Sequence, residues 1–230
     1  MASDYRPGSF QVLPIVIKNL LIVNGLIWLA QITVGQNLFD IRNTFALWYF
    51  KTDMFHSWQL ITYMFLHDSS SPFHLLFNMF GLWMFGSTLE NLWGPKRFLI
   101  FYLICGIGAG LVHMGVDAIE LIPLEKAYYQ GLVGQDEIAR RIVPGVGASG
   151  AIMGVLAAFA YTFPNDRLFI FPIPFPIKVK WGVLAMVGID LFSGLSNRST
   201  GIAHFAHLGG AAFGIIIVLI WNKKNRRTFY

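Results

Sequence analysis

Six stretches of this chain, at residues 13–34, 74–92, 98–116, 147–163, 179–195 and 202–221, are apolar over lengths close to the roughly 20 residues a helix needs to cross about 30 Å of hydrocarbon. Lipid offers no partners to backbone N–H and C=O groups, and a helix satisfies them within the segment itself. The expected fold class is therefore all-α: a polytopic membrane protein with six transmembrane helices in a compact bundle, residues 1–230 forming a single membrane domain. Composition agrees, with 55% hydrophobic and 13% charged residues, where ordinary soluble domains carry about 25% charge.

An even number of spans puts both termini on one side, and the basic tail of Lys223, Lys224, Arg226 and Arg227 marks that side as cytoplasmic. The same assignment places Arg6, Lys18, Lys96, Arg97, Arg167, Lys178 and Lys180 inside, while most acids, Asp40, Asp68, Asp117 and Glu125 among them, fall outside. The expected location is a bacterial cell membrane, crossed several times. The net charge of +5 follows from this asymmetry. No basic patch interleaved with aromatics lies outside it, so the lipid bilayer is an expected partner and nucleic acid is not.

Cys105 is the one cysteine, which excludes an internal disulfide and a cysteine-based zinc site, and it reads as packing. The sequence has no His-Glu-x-x-His, which disfavours a zinc metalloprotease. No cofactor or metal is expected. No charged n-region followed by a small-residue cleavage site is seen, so the first apolar run reads as a retained helix. The loop after it carries Phe45, Trp48, Tyr49, Phe50 and Trp58, rings suited to the headgroup level. Residues 121–141 read as a solvated, partly helical loop. Phe171-Pro172-Ile173-Pro174-Phe175-Pro176 reads as a stiff extended connector.

Against this apolar background a few polar residues need a reason, because polar groups at membrane depth are costly. Ser149 lies in Gly147-Ala148-Ser149-Gly150 at the start of the fourth run, where free helix N–H groups favour an oxyanion. His207 lies in Ala206-His207-Leu208-Gly209-Gly210, and with Gly214 these glycines predict a close approach to the fourth helix. A serine nucleophile needs an adjacent base, and a neutral imidazole suits the task. His204, three residues earlier, is the competing base. His74 and Asn78, one turn apart in the second run, present donors on one face. Seen singly, each has a blander reading as helix packing or interfacial solvation.

Depth is consistent. At about 1.5 Å per residue His207 lies roughly 9 Å along the sixth helix from Gly201, and residues 149–163 span only about 22 Å, so Ser149 is expected below the outer surface. Other features are expected to be structural: Glu90 solvated at the inner interface or paired with Lys96 or Arg97, His67 and His113 solvated near span ends, and Asp190 hydrogen-bonded to water or a neighbouring helix rather than orienting a base.

On these motifs and their order the chain resembles the rhomboid family of intramembrane serine proteases, from the loop before Trp58 to the C-terminus. The resemblance implies Ser149 as nucleophile, His207 as general base, and His74 with Asn78 as the oxyanion-side pair. It also implies a Ser/His dyad without an aspartate, so Asp190 is not carried over as a third member. The implied activity is endopeptidase cleavage of membrane-anchored proteins in or near their transmembrane segments, with the fifth helix, near Phe192, resembling a lateral gate. Three departures stand out: Gln59 after Trp58 where many members have arginine, Met153 where some have tyrosine, and a longer link through Ser69-Ser70-Ser71-Pro72. Two rivals are a non-proteolytic relative that only binds transmembrane clients, and a transporter or channel.

Overall fold

The computed structural model describes residues 10–34, 39–169, 175–196 and 204–224. The connector from Phe171 to Pro174, the start of the sixth run at Gly201 and Ile202, and the basic residues Arg6, Arg198, Arg226 and Arg227 lie outside them.

Helix α1 runs from Ile15 to Thr33, followed by the short helices α2 (Ile41–Phe45) and α3 (Gln59–Thr62) and a 3-10 turn, Tyr63–Phe65. The second apolar run begins as α4 (Pro72–Gly81), widens into a π turn at Leu82–Gly86 and continues as α5 (Ser87–Trp93). Gly94, at φ 82°, breaks the chain in a conformation other residues avoid, and Pro95 starts α6, which reaches Tyr129. Then come α7 (Gln135–Arg141), α8 (Ser149–Thr162), a two-stranded antiparallel pair of β1 (Arg167–Leu168) with β2 (Ile177–Lys178), α9 (Val179–Leu195) and α10 (His204–Lys224).

Among the described residues, α1, α6 and α10 are long and apolar enough to cross a membrane, and α8 is a shorter apolar helix. The third run therefore extends further than its hydropathy predicts. Its helix continues through Pro123 and the charged stretch to Tyr129, because Leu, Glu, Lys and Ala favour helix whether or not lipid surrounds them.

The centre of the fold is α8. Every residue from Gly150 to Phe159 is buried, as expected for a helix that is apolar all round. It packs against α6, α9 and α10. The seam with α10 is made by glycines on both sides: a Cβ on Gly210 would fall on the Gly150 carbonyl, and one on Gly214 would meet the Gly154 carbonyl oxygen at 2.6 Å. Backbone touches backbone there, which side chains would forbid. Cys105 of α6 also lies against Gly154 and is fully buried, as a packing residue.

Glu90 departs from expectation. Rather than meeting solvent, Lys96 or Arg97, it is buried and accepts the Val16 and Ile17 N–H groups at 2.9 and 2.8 Å. These are first-turn amides of α1, which an α-helix leaves without partners of its own, and the positive end of the helix dipole favours the carboxylate.

Candidate active site

The chain enters α8 through a loop held from two directions. Leu47 and Gly145 exchange N–H···O bonds of 2.9 Å, tying the loop to the aromatic outer segment. Two residues on, Gly147 donates its N–H to the Tyr63 carbonyl at 2.9 Å, while the Tyr63 hydroxyl donates to the Gly106 carbonyl of α6 at 2.7 Å. Gly147 has φ 126°, a conformation that requires glycine, and an added Cβ would meet the His74 Cε1 and Nε2 atoms at 3.2 and 3.3 Å. Ser149 is thereby the first residue of α8, half-buried, where the helix's leading N–H groups are free to meet an anion.

Opposite it stands His207 of α10, whose Nε2 lies 2.8 Å from Ser149 Oγ. The glycine seam one turn further along α10 lets the two helices come this close. His204 does not face the serine. Its Nδ1 lies 2.8 Å from Asp190 Oδ1, and the same carboxylate, reaching across from α9, lies 3.1 Å from His207 Nδ1. Asp190 thus does bond to a neighbouring helix, but the partners it finds there include the candidate base.

His74, near the start of α4, accepts a hydrogen bond on Nδ1 from the Asp68 backbone N–H at 3.2 Å. That hydrogen bond leaves the ring proton of a neutral His74 on Nε2, the atom facing Gly147. Asn78 is buried and donates one amide N–H to the His74 carbonyl at 2.8 Å, leaving a second. The longer link before α4 is ordered by its own side chains: Ser70 donates through N–H and hydroxyl to Asp68, and Ser71 caps the helix.

The loop beneath His74 is braced by residues that sequence reasoning passed over. Gln31 of α1 donates to the His67 carbonyl at 3.0 Å and accepts the His67 N–H at 3.1 Å, and Trp28 donates to the Asp68 carbonyl at 3.0 Å. Gln31 is a buried polar residue in an apolar run, and that was the available signal. Gln59, the residue after Trp58, is fully buried. It donates to the Thr44 and Met54 carbonyls at 3.1 and 2.8 Å, so an amide anchors this loop. Met153 is buried. His113 is partly buried, 3.5 Å from Asp117.

His67 is also corrected: it is buried, not solvated, its ring edge-to-face with His74 at 5.1 Å between centroids. Burial, aided by the His74 imidazole, pushes its pKa down from 6.5 to about 4. Because the folded state resists protonation more than the unfolded chain, this site's contribution is present above about pH 6.5 and is lost as pH falls toward 4. Thermal unfolding followed across that range is expected to show a steeper decline for the parent than for His67→Leu, by on the order of 3 kcal/mol at the acid end. Parallel curves would refute the assignment.

An integral membrane protein with a serine hydroxyl and an imidazole in hydrogen-bond contact at the head of a buried central helix is the class these features define. The sequence profile described as Rhomboid domain matches residues 54–224. The chain belongs to the rhomboid family. It is 36% identical over 162 residues to the human protein named presenilin-associated rhomboid-like protein, mitochondrial, covering 68% of this chain and 37% of that one. It is 30% identical over 143 residues to rhomboid protein 1, mitochondrial, of Saccharomyces cerevisiae, covering 62% and 36%. It is 30% identical over 201 residues to rhomboid protease AarA of Providencia stuartii, covering 83% and 61%. The chain thus spans little more than a third of the length of these mitochondrial relatives.

Proposed function

We propose that the chain is an intramembrane serine endopeptidase that cleaves membrane-anchored proteins in or near their transmembrane segments. The observation that carries this reading is the 2.8 Å separation of Ser149 Oγ and His207 Nε2. Ser149 Oγ attacks the peptide carbonyl carbon while His207 takes the hydroxyl proton, then gives it to the leaving amine nitrogen. Water deacylates the enzyme with His207 again as base. The developing oxyanion is met by α8 N–H groups, by His74 Nε2–H and by the free amide N–H of Asn78.

The proposed setting is a single membrane domain over residues 1–230 that crosses the bilayer six times, both termini on its more basic face. Shorter elements support it: α4 and α5 run almost end to end through the π turn, and α8 needs no full crossing because it is enclosed by its neighbours. Mitochondrial names among the relatives run against a bacterial cell membrane as the location, and the proposal is confined to an integral membrane protein.

Purified protein treated with a fluorophosphonate probe is expected to carry the label at Ser149, and the label is expected to vanish in His207→Ala. A parent chain that stays unlabelled at Ser149 would favour the rival, a rhomboid-like binder of transmembrane clients without protease activity.

A further inference from the structure

We infer that Asp190 is a positioning residue that fixes the tautomer and ring orientation of His207, an inference that rests on the reading of Ser149 and His207 as nucleophile and base. A serine-histidine pair alone leaves this carboxylate without a task. Its neighbours Ile189, Leu191 and Phe192 are exposed, yet Asp190 turns inward and is buried. Burying a carboxylate is costly unless donors fill its lone pairs. Here His204 Nδ1 lies 2.8 Å from Oδ1, and His207 Nδ1 lies 3.2 and 3.1 Å from Oδ1 and Oδ2.

A carboxylate only accepts, so the ring nitrogens facing it carry protons. In neutral His207 that puts the single proton on Nδ1 and the lone pair on Nε2, 2.8 Å from the Ser149 hydroxyl. The opposite tautomer would aim an N–H at that hydroxyl and leave nothing to receive its proton. Once His207 takes the proton, the carboxylate lies against the new positive charge, itself remaining ionised. His204 sits one helical turn from His207 on the same helix, so one carboxylate is gripped at two points of fixed spacing. The contact also ties the base to the seam between α9 and α10, which is tight: a Cβ on Gly194 would meet the Phe205 ring at 2.9 Å.

Asp190→Asn keeps the shape but replaces one acceptor with a donor, which releases the tautomer. For cleavage of a single-span reporter, kcat is expected to fall about 10²- to 10⁴-fold. KM is expected to stay within about threefold of the parent, a split that a general loosening of the fold would not give. In the ¹⁵N spectrum of histidine-labelled parent protein, the His207 signal, assigned by its loss in His207→Gln, is expected to report Nδ1–H at neutral pH. A kcat for Asp190→Asn within about threefold of the parent overturns the inference. If that variant does not fold, the parent spectrum decides alone: Nδ1–H upholds the inference and Nε2–H overturns it. A parent chain that fails to label at Ser149 would instead sink the proposed activity, and the tautomer measurement would still be read.

Discussion

Ser149→Ala is expected to reduce cleavage of a single-span reporter in proteoliposomes by about 10³- to 10⁶-fold. The substitution removes one oxygen from a half-buried position and leaves the apolar face of α8 intact, so folding is expected to be unchanged. What disappears is the hydroxyl 2.8 Å from His207 Nε2. His207→Ala is expected to fall as far, since a base without its nucleophile and a nucleophile without its base fail at the same step. The double variant is expected to be no worse than either single one, as for groups that act as a unit. Cleavage by Ser149→Ala at the parent rate would refute the proposed chemistry outright.

Gly210→Ala is expected to have a smaller but still large effect by a different route. Its new methyl group would be driven onto the Gly150 carbonyl, a backbone group that cannot swing aside, so α8 and α10 have to separate. Overpacking of this kind costs about 1–3 kcal/mol and occasionally more. Gly150 follows Ser149 directly, and Gly210 lies three residues beyond His207. Separation of the helices by about 1 Å therefore moves the base off the hydroxyl, and such misplacement costs about 10²-fold in rate. Gly188→Ala in α9 is the matched control, because nothing lies within 4 Å of its added Cβ. It is expected to be neutral or to stabilise by up to about 1 kcal/mol. Thermal unfolding in detergent together with probe labelling at Ser149 measures both. Equal stability and labelling for the two alanine variants would show that the glycine seam does not set the site.

Helical character, the approach of α10 to α8 and the candidate Ser149 and His207 were legible because lipid makes each polar residue in an apolar run conspicuous. Gly210 and Gly214, four residues apart on one helix face, carried the same kind of signal, whereas Gly209 faces Val112 of α6 instead. Partnerships across long stretches of chain were not legible. Nothing local to Glu90 announces that the first turn of α1, more than 70 residues earlier, needs an acceptor. Lys96 and Arg97 were nearer in sequence and were the natural guess. His67 was expected in solvent because it borders a span, but the loop folds under His74 and hides it. Asp190 was legible as an oddity in α9, whereas its two imidazole partners depended on how α9 meets α10. Helix within residues 121–141 was legible, but its unbroken continuity with the third run as far as Tyr129 was not, because hydropathy reports the solvent around a helix and not where its backbone stops.

Helix α1 lies wholly outside the region matched by the family profile, which begins at residue 54. Yet it is fastened at both extremities, by Glu90 at its first turn and through Trp28 and Gln31 to the backbone of Asp68 and His67 at its last. Asp68 in turn hands its N–H to His74. The helix therefore behaves as a splint laid along the proposed catalytic unit, carrying none of its proposed reactive groups. A piece trimmed to the matched region would keep every proposed reactive side chain but lose the strut that holds the loop bonded to His74, a proposed oxyanion donor.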